Sequence, residues 1–322
     1  MQLGIFMDLR NPQLQRRDWA DHYRRAVELV VGAEQAGIDA VWLSEHHLFE
    51  DGYLPQPLTF AAGLATRTSR MRIGTAVTIA PLRHPQHLAE EAAVVDLLSG
   101  GRLELGVGAG YVQVEYDAFG ADIDRRYGST DGVVREVQRL LAEGLVTPAP
   151  LQQPLPIWLG YQGPKGARRA GRLGVGLLSL SRDSIGPYRE GLAEAGHDPD
   201  SARVGGVLNV IVADDPERAR QRILPYYAHQ SATYRQAHGM DVTLDGTIEQ
   251  MRKKLADTGA LPGLAVLDAD SAIAEIRSKT EGLPVAHVYL WASVGGMDDD
   301  LVERHLDLVA TRVVPALHGD AT

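Results

Sequence analysis

The chain has 322 residues and no cysteine, which removes disulfides, thiolate metal centres and a cysteine nucleophile together. Its net charge of -10 at pH 7 is not offset by any long basic run, so a nucleic-acid backbone is an unfavourable partner. No apolar stretch reaches the ~18 residues of a membrane span, and "MQLGIFMDLRNP" lacks the basic head and long apolar centre of a secretory signal. A folded cytoplasmic protein that acts on a small molecule, with no nucleic acid and no membrane as partner, is the expectation.

In chain order, residues 3–9 read as a short buried strand, and 18–37 as a helix with apolar residues at helical spacing and Gly37 as its stop. Residues 40–44 form a second strand, 58–68 a helix, 71–81 ("MRIGTAVTIAP") a third strand and 85–98 a third helix. A fourth strand, "RLELGVG" at 102–108, leads through a loop to a helix over 130–143. This strand–helix alternation predicts parallel strands joined by right-handed crossovers.

Beyond the Pro-rich connector "VTPAPLQQPLP" the rhythm resumes: strand 157–160, helix 164–172, strand 174–180, helix 184–195, strand 204–213 and a long helix over 215–238. Residues 239–269 break the pattern and read as an insertion; 285–293 is the eighth strand and 298–317 the closing helix. Eight such units fit one (β/α)8 TIM barrel of about 250 residues plus insertions, so residues 1–322 are expected to form a single domain. The echo between "AEQAGIDAVWLS" and "RRAGRLGVGLLS" agrees with a repeated barrel unit.

In such barrels ligands bind at the carboxyl ends of the strands. The second strand ends in "SEHH", which places Glu45, His46 and His47 there. A shared metal ion is disfavoured, because adjacent side chains of an extended backbone point to opposite faces and the spacing of HExxH is absent. Two readings remain: a rim histidine that bonds a backbone carbonyl, or a general acid–base histidine held in one tautomer by a carboxylate. Asp8 and Arg10 close strand one, His84 precedes Pro85 at a helix start, and Trp291 ends strand eight; each is a candidate for substrate contact. The alternatives are surface solvation, helix capping and core packing respectively.

A second site is suggested by "IWLGYQGPKGARRAGRLG", where a strand ends at Gly160 and a glycine-bearing loop enters a helix. Backbone N–H groups of Tyr161, Gln162, Gly163 and Gly166 with the Lys165 ammonium would make a phosphate cradle; an ordinary turn with Pro164 at the first helical position is the alternative. "LELGVGAGY" superficially suggests a dinucleotide fingerprint, but "VQVEYDAFG" does not continue as the long crossover helix that motif requires. Its glycines are expected to clear room for a flat ligand.

"VWLSEHHLFEDG", "IGTAVTIAPLRHP", "SGGRLELGVGAGY", "FGADIDRRY" and "LPIWLGYQGPKGARRAGRLG", in that order and spacing, resemble the bacterial luciferase-like flavin-dependent oxidoreductase family. The resemblance implies a (β/α)8 barrel that takes reduced FMN, or in a sister group the deazaflavin F420, at the strand carboxyl ends. By position, His46 matches the active-site histidine near the reactive edge of the flavin, with Glu45 and His47 as supporting neighbours. Ala76 and Val77 fall where the family carries a non-proline cis peptide beneath the ring, 161–166 at the cofactor phosphate, and Leu178 and Ser179 on a wall of the ring pocket. Gly108 and Ala109 stand where the luciferases have a cysteine and a phosphate-gripping arginine, so the phosphate would lean on Lys165, backbone amides and Arg126.

The implied function is a monooxygenase that uses reduced FMN, delivered by a separate flavin reductase, and O2 to oxygenate a small organic substrate, with His46 as acid–base. An F420-dependent reductase or dehydrogenase and a non-catalytic flavin-binding protein are the alternatives. The resemblance also implies a homodimer through the second and third helices, whose small residues in "FAAGLATRTS" and "AEEAAVV" suit close packing. The insertion is the expected lid.

Overall fold

A computed structural model describes residues 1–319. The chain opens with β1 (Gln2–Met7), α1 (Trp19–Ala36), β2 (Ala40–Leu43) and α2 (Pro57–Ala65). Next come β3 (Arg72–Thr75), β4 (Thr78–Ile79), α3 (Pro85–Ser99), β5 (Leu103–Gly108), α4 (Gln113–Phe119) and α5 (Arg126–Ala142). The second half runs β6 (Ile157–Leu159), α6 (Gly163–Arg172), β7 (Gly176–Leu178), α7 (Ile185–Glu194), β8 (Val204–Leu208), β9 (Val210–Val212) and α8 (Pro216–Ala237). It ends with α9 (Leu244–Thr258), β10 (Ala265–Leu267), α10 (Ala269–Thr280), β11 (Val285–Trp291), α11 (Asp299–Leu308) and α12 (Val314–His318).

All ladders between these strands are parallel, in the order β3, β2, β1, β11, β8, β7, β6, β5, and β3 pairs with β5 to close the ring. With β3 and β4 counted as one stave, this is the expected eight-stranded barrel. Residues facing each other in register fill its interior. Trp42 lies opposite Gly74, and Trp158 opposite Gly176; a Cβ on either glycine would meet the neighbouring indole at 2.4 Å or closer. Tyr289 stacks on Trp42 at 4.9 Å, and Glu104 accepts the Trp158 indole N–H at 2.6 Å. The bottom of the barrel is thus plugged by side chains, which leaves only the carboxyl end open to a ligand.

Local signals explain the helix ends. Asp18 accepts the N–H groups of Ala20 and Asp21 at the start of α1, and Gly37, at φ 105°, ends it. His84 caps α3 by accepting the Gln86 N–H. The third expected strand is interrupted at the cis peptide Ala76–Val77, and the seventh at Asn209, after which β9 leaves the barrel to pair with β10. Residues 239–268 are more ordered than an insertion without pattern would be: they hold α9, which packs on α8, and β10. The helices α4 and α10 fall outside the expected elements, although α10 buries Ala269, Ala272, Ile273 and Ile276 at helical spacing. Among the described residues no helix is long and apolar enough to cross a membrane.

His305 on α11 locks the last unit to the barrel. Its Nδ1 accepts the Val212 N–H at 2.8 Å and its Nε2–H donates to the Trp291 carbonyl at 2.9 Å. Burial lowers this imidazole from 6.5 to about 4, so the unfolded chain takes up a proton that the folded chain refuses. Stability therefore falls as pH drops from 6.5 towards 4, by about 3 kcal/mol from this group alone. Denaturant titrations across that window should show a proton-linked loss in the native chain that is absent in His305→Gln; equal pH slopes in the two would refute the assignment.

Candidate active site

Where β2 runs out, the backbone stays anchored on both sides: the Ser44 N–H donates to Met7 and the Ala76 N–H to the Leu43 carbonyl. Glu45, His46 and His47 are all buried at this rim, and the chain then turns outward through Leu48, at φ 64° and 70% exposed. His46 and His47 face different partners, as extended backbone requires. Among the described residues no cluster has the arrangement of a metal site.

The partner of His46 is Glu115, in the first turn of α4. Its fully buried carboxylate accepts the His46 Nδ1–H at 2.9 Å and the His47 backbone N–H at 2.7 Å through the same oxygen. A carboxylate acceptor calls for the hydrogen on Nδ1, which in the neutral imidazole leaves the lone pair on Nε2. That nitrogen lies 3.3 Å from the Tyr111 hydroxyl and beside the rings of Tyr53 and Phe49. Glu45 turns elsewhere: it receives His47 Nε2 at 3.0 Å on one oxygen, and the Ile79 N–H and the Arg83 guanidinium on the other. The tautomer-setting carboxylate is therefore Glu115, while Glu45 brackets β2 against β4.

A cavity of about 1120 Å³, mouth included, opens on His46. Eight of the sequence-derived candidates reach it: Glu45, His46, Ala76, Val77, Gly160, Tyr161, Gln162 and Trp291. Trp291 donates its indole N–H to Asn209 at 2.8 Å and meets Phe6 edge to face. The cis Ala76–Val77 peptide forms part of the wall, with Val77 in a slot left by two glycines; a Cβ on Gly108 or Gly160 would meet a Val77 methyl at 2.4–2.5 Å. Gly108 thus clears room for Val77 rather than directly for a flat ligand.

Gln162 starts α6 without a side-chain cap, and Gly163 adopts φ 70°. Uncapped N–H groups at the start of this helix, next to the cavity mouth, suit an anion. Lys165 is exposed there and forms no ion pair among the described residues, although neither it nor Gly163 lines the cavity. Gly166 packs on Tyr161, whose hydroxyl donates to Asp131. Leu178 and Ser179 are buried and do not line the cavity. Arg126 lies over the Tyr127 ring at 4.7 Å, a short step from the mouth.

The remaining candidates lie outside the lining. His84 is the α3 cap, at the edge of a separate depression shared with His47 and His87. Asp8 is buried beside Arg10, lines a neighbouring cavity, and is pushed up to about 6 by burial. Arg10 bonds Asp51 at 2.7 Å and Thr233 on α8, and its guanidinium sits against the rings of Phe49, Tyr53 and Tyr234. The residues that sequence reading passed over are Glu115 and the tyrosines around His46. The signal for Glu115 was a carboxylate at helical spacing on the buried face of "VQVEYDAF", beside Val112 and Tyr116.

The family model for luciferase-like monooxygenases matches residues 1–274. The chain belongs to that family. The 4-hydroxyprotoasukamycin monooxygenase of Streptomyces nodosus subsp. asukaensis is 29% identical over 92% of this chain and 87% of its own. The F420-dependent glucose-6-phosphate dehydrogenase of Amycolatopsis mediterranei is 31% identical over 53% of this chain and 58% of its own. Among solved structures, the monooxygenase RslO1 from Streptomyces bottropensis superposes with a TM-score of 0.78 at 25% identity, over 98% of this chain and all of that one. This luciferase-like chain is an oxidoreductase of a family whose members use FMN or F420.

Removing the Glu115 carboxylate would orphan two buried donors, which costs about 1–3 kcal/mol each. Glu115→Ala should lower the melting temperature clearly, and Glu115→Gln, which keeps an acceptor, should recover most of it. Equal melting temperatures in all three proteins would show that the carboxylate is not the anchor.

Proposed function

We propose that this chain is the oxygenase component of a two-component monooxygenase that uses reduced FMN and O2 on a small organic substrate. The observation that carries the reading is the His46–Glu115 pair, which presents a lone pair at Nε2 to a cavity walled by the Ala76–Val77 cis peptide. The monooxygenase relative that spans nearly the whole chain supports the same reaction class.

The residues fit the cofactor. A flat ring system suits the wall formed by Ala76, Val77 and Gly160, and a phosphate suits the uncapped start of α6 with Lys165 and Arg126 close by. Bound reduced FMN would supply the electrons for oxygen activation. The chain's own part is to bind, orient and protect. His46 Nε2 takes up or returns a proton at the reacting edge, and Glu115 stabilises the imidazolium while that proton is held. The aromatic wall excludes water from the same place. A flavin reductase is the implied supplier of the cofactor, and the barrel is proposed to work as a homodimer. The outer face of α3, with Val94 and Leu98 exposed beside the small-residue face of α2, fits that pairing.

A second reading keeps the same site. An F420-dependent dehydrogenase would use His46 to take the proton of an alcohol as hydride leaves carbon, and the Amycolatopsis relative favours keeping it in view.

Fluorescence titration with FMN and with F420 separates the two, with tighter binding of FMN expected. His46→Ala should bind FMN within a few-fold of the native chain yet lose product formation by about 100-fold or more; unchanged turnover would remove His46 from the mechanism. Light scattering should return twice the mass of one chain.

A further inference from the structure

The cavity offers about 400 Å³ of space that can hold the centre of a water-sized sphere, within the usual ~300–1,000 Å³ of a small-molecule pocket. Its lining is also skewed: six of the chain's eleven tyrosines face it, with Phe6 and Trp291, in a protein that is only 6% aromatic. Neither lysine nor arginine lines it; its one ionisable acid is Glu45, and Glu115 lies just behind His46.

The tyrosines divide between two ends. Tyr127 and Tyr161 stand at the α6 end, where the cofactor is proposed to lie. Tyr53, Tyr111 and Tyr234 ring His46, with centroids 4.6, 5.3 and 6.2 Å from the imidazole. Tyr53 and Tyr234 share a hydrogen bond of 2.8 Å between their hydroxyls, so one of the two protons remains free to donate. Burial raises both phenols, which keeps them protonated at neutral pH. Behind them the Arg10 guanidinium lies 5.1 and 5.3 Å from their ring centroids. Its charge is balanced by Asp51, so the pair is polarised without making the wall a site for anions.

We propose that the inner end of the cavity takes an uncharged planar aromatic molecule bearing a hydroxyl or carbonyl group, with that oxygen docked on the Tyr53–Tyr234 pair beside His46. This names the substrate class of the oxygenase proposed above and rests on that reading. Aromatic walls supply stacking area, the paired phenols supply one donor and acceptors, and a carboxylate or phosphate would enter with no cation to meet it and with Glu45 and Glu115 close by. Ring orientation is then fixed by a single oxygen, which places the neighbouring ring carbon near His46.

Equilibrium dialysis of the full chain, with and without saturating oxidised FMN, tests this with 2-naphthol, naphthalene and 6-hydroxy-2-naphthoate. The phenol should bind about tenfold more tightly than naphthalene, the worth of one hydrogen bond, and at least about tenfold more tightly than the carboxylate. Tyr53→Phe/Tyr234→Phe should erase the advantage of 2-naphthol while leaving naphthalene unchanged. Binding of the carboxylate as tight as the phenol, or a preference that survives the double substitution, would overturn the proposal. Retained FMN binding without naphthol preference sinks this inference alone; naphthol preference without FMN binding sinks the oxygenase reading instead.

Discussion

One hydrogen-bonded carboxylate organises the open end of this barrel. Glu115 has no solvent and reaches across from α4 to the end of β2, holding a side chain and a backbone N–H with a single oxygen. A buried carboxylate is costly unless it is paired and bonded. The two donors of the β2 end meet that need, and in return the carboxylate fixes the imidazole in rotation and tautomer. The same contact ties the loop after β5 to the loop after β2, segments that the barrel alone would leave independent. Its second oxygen is buried and bonds no other group among the described residues.

A second layer stabilises the first. The far turns of α8 lie over the site through contacts of different chemistry: His229 with Asp51, Thr233 with Arg10, Tyr234 with Tyr53, and His238 stacked on Tyr111. These contacts come from the helix before residue 239, so the segment closest to the mouth is α8. The region 239–268 supports that helix through α9 and reaches the cavity indirectly, by way of Gly263, Asn209 and the Trp291 indole. An element close to the reacting groups is thereby braced by one further away.

The barrel was legible because its units repeat a pattern that backbone geometry enforces: apolar runs of strand length, then helical spacing, then a glycine stop. Residues such as Gly37 and His84 announced helix ends by local chemistry alone. His46 was legible because a histidine pair at a strand end has few uses in a core. Its partner was not, since Glu45 stands next in sequence while Glu115 arrives from 69 positions away. Glu45 bonds His47 instead, so adjacency in sequence does not identify the carboxylate that His46 meets. Gly108 shows the same limit: sequence marks a place where a Cβ cannot fit, but only packing reveals that the intruder is Val77.

The placement of charge then dictates how a ligand can lie. Free positive charge is found at the mouth, in Lys165 and the uncapped turn of α6, while the buried guanidinium of Arg10 is balanced by Asp51 behind a tyrosine wall. An ionic tail therefore belongs outside, where water and the helix start can both solvate it. The neutral ring proposed above would lie inside, against the tyrosine-rich wall. For a chain of net charge -10, repulsion of further anions from the interior is the default, and the exposed Lys165 at the start of α6 is where the proposed phosphate would find a counter-charge. In the proposed reading, orientation, water exclusion and proton handling would follow from how these charges are placed: buried ones paired behind the aromatic wall, and Lys165 free outside it.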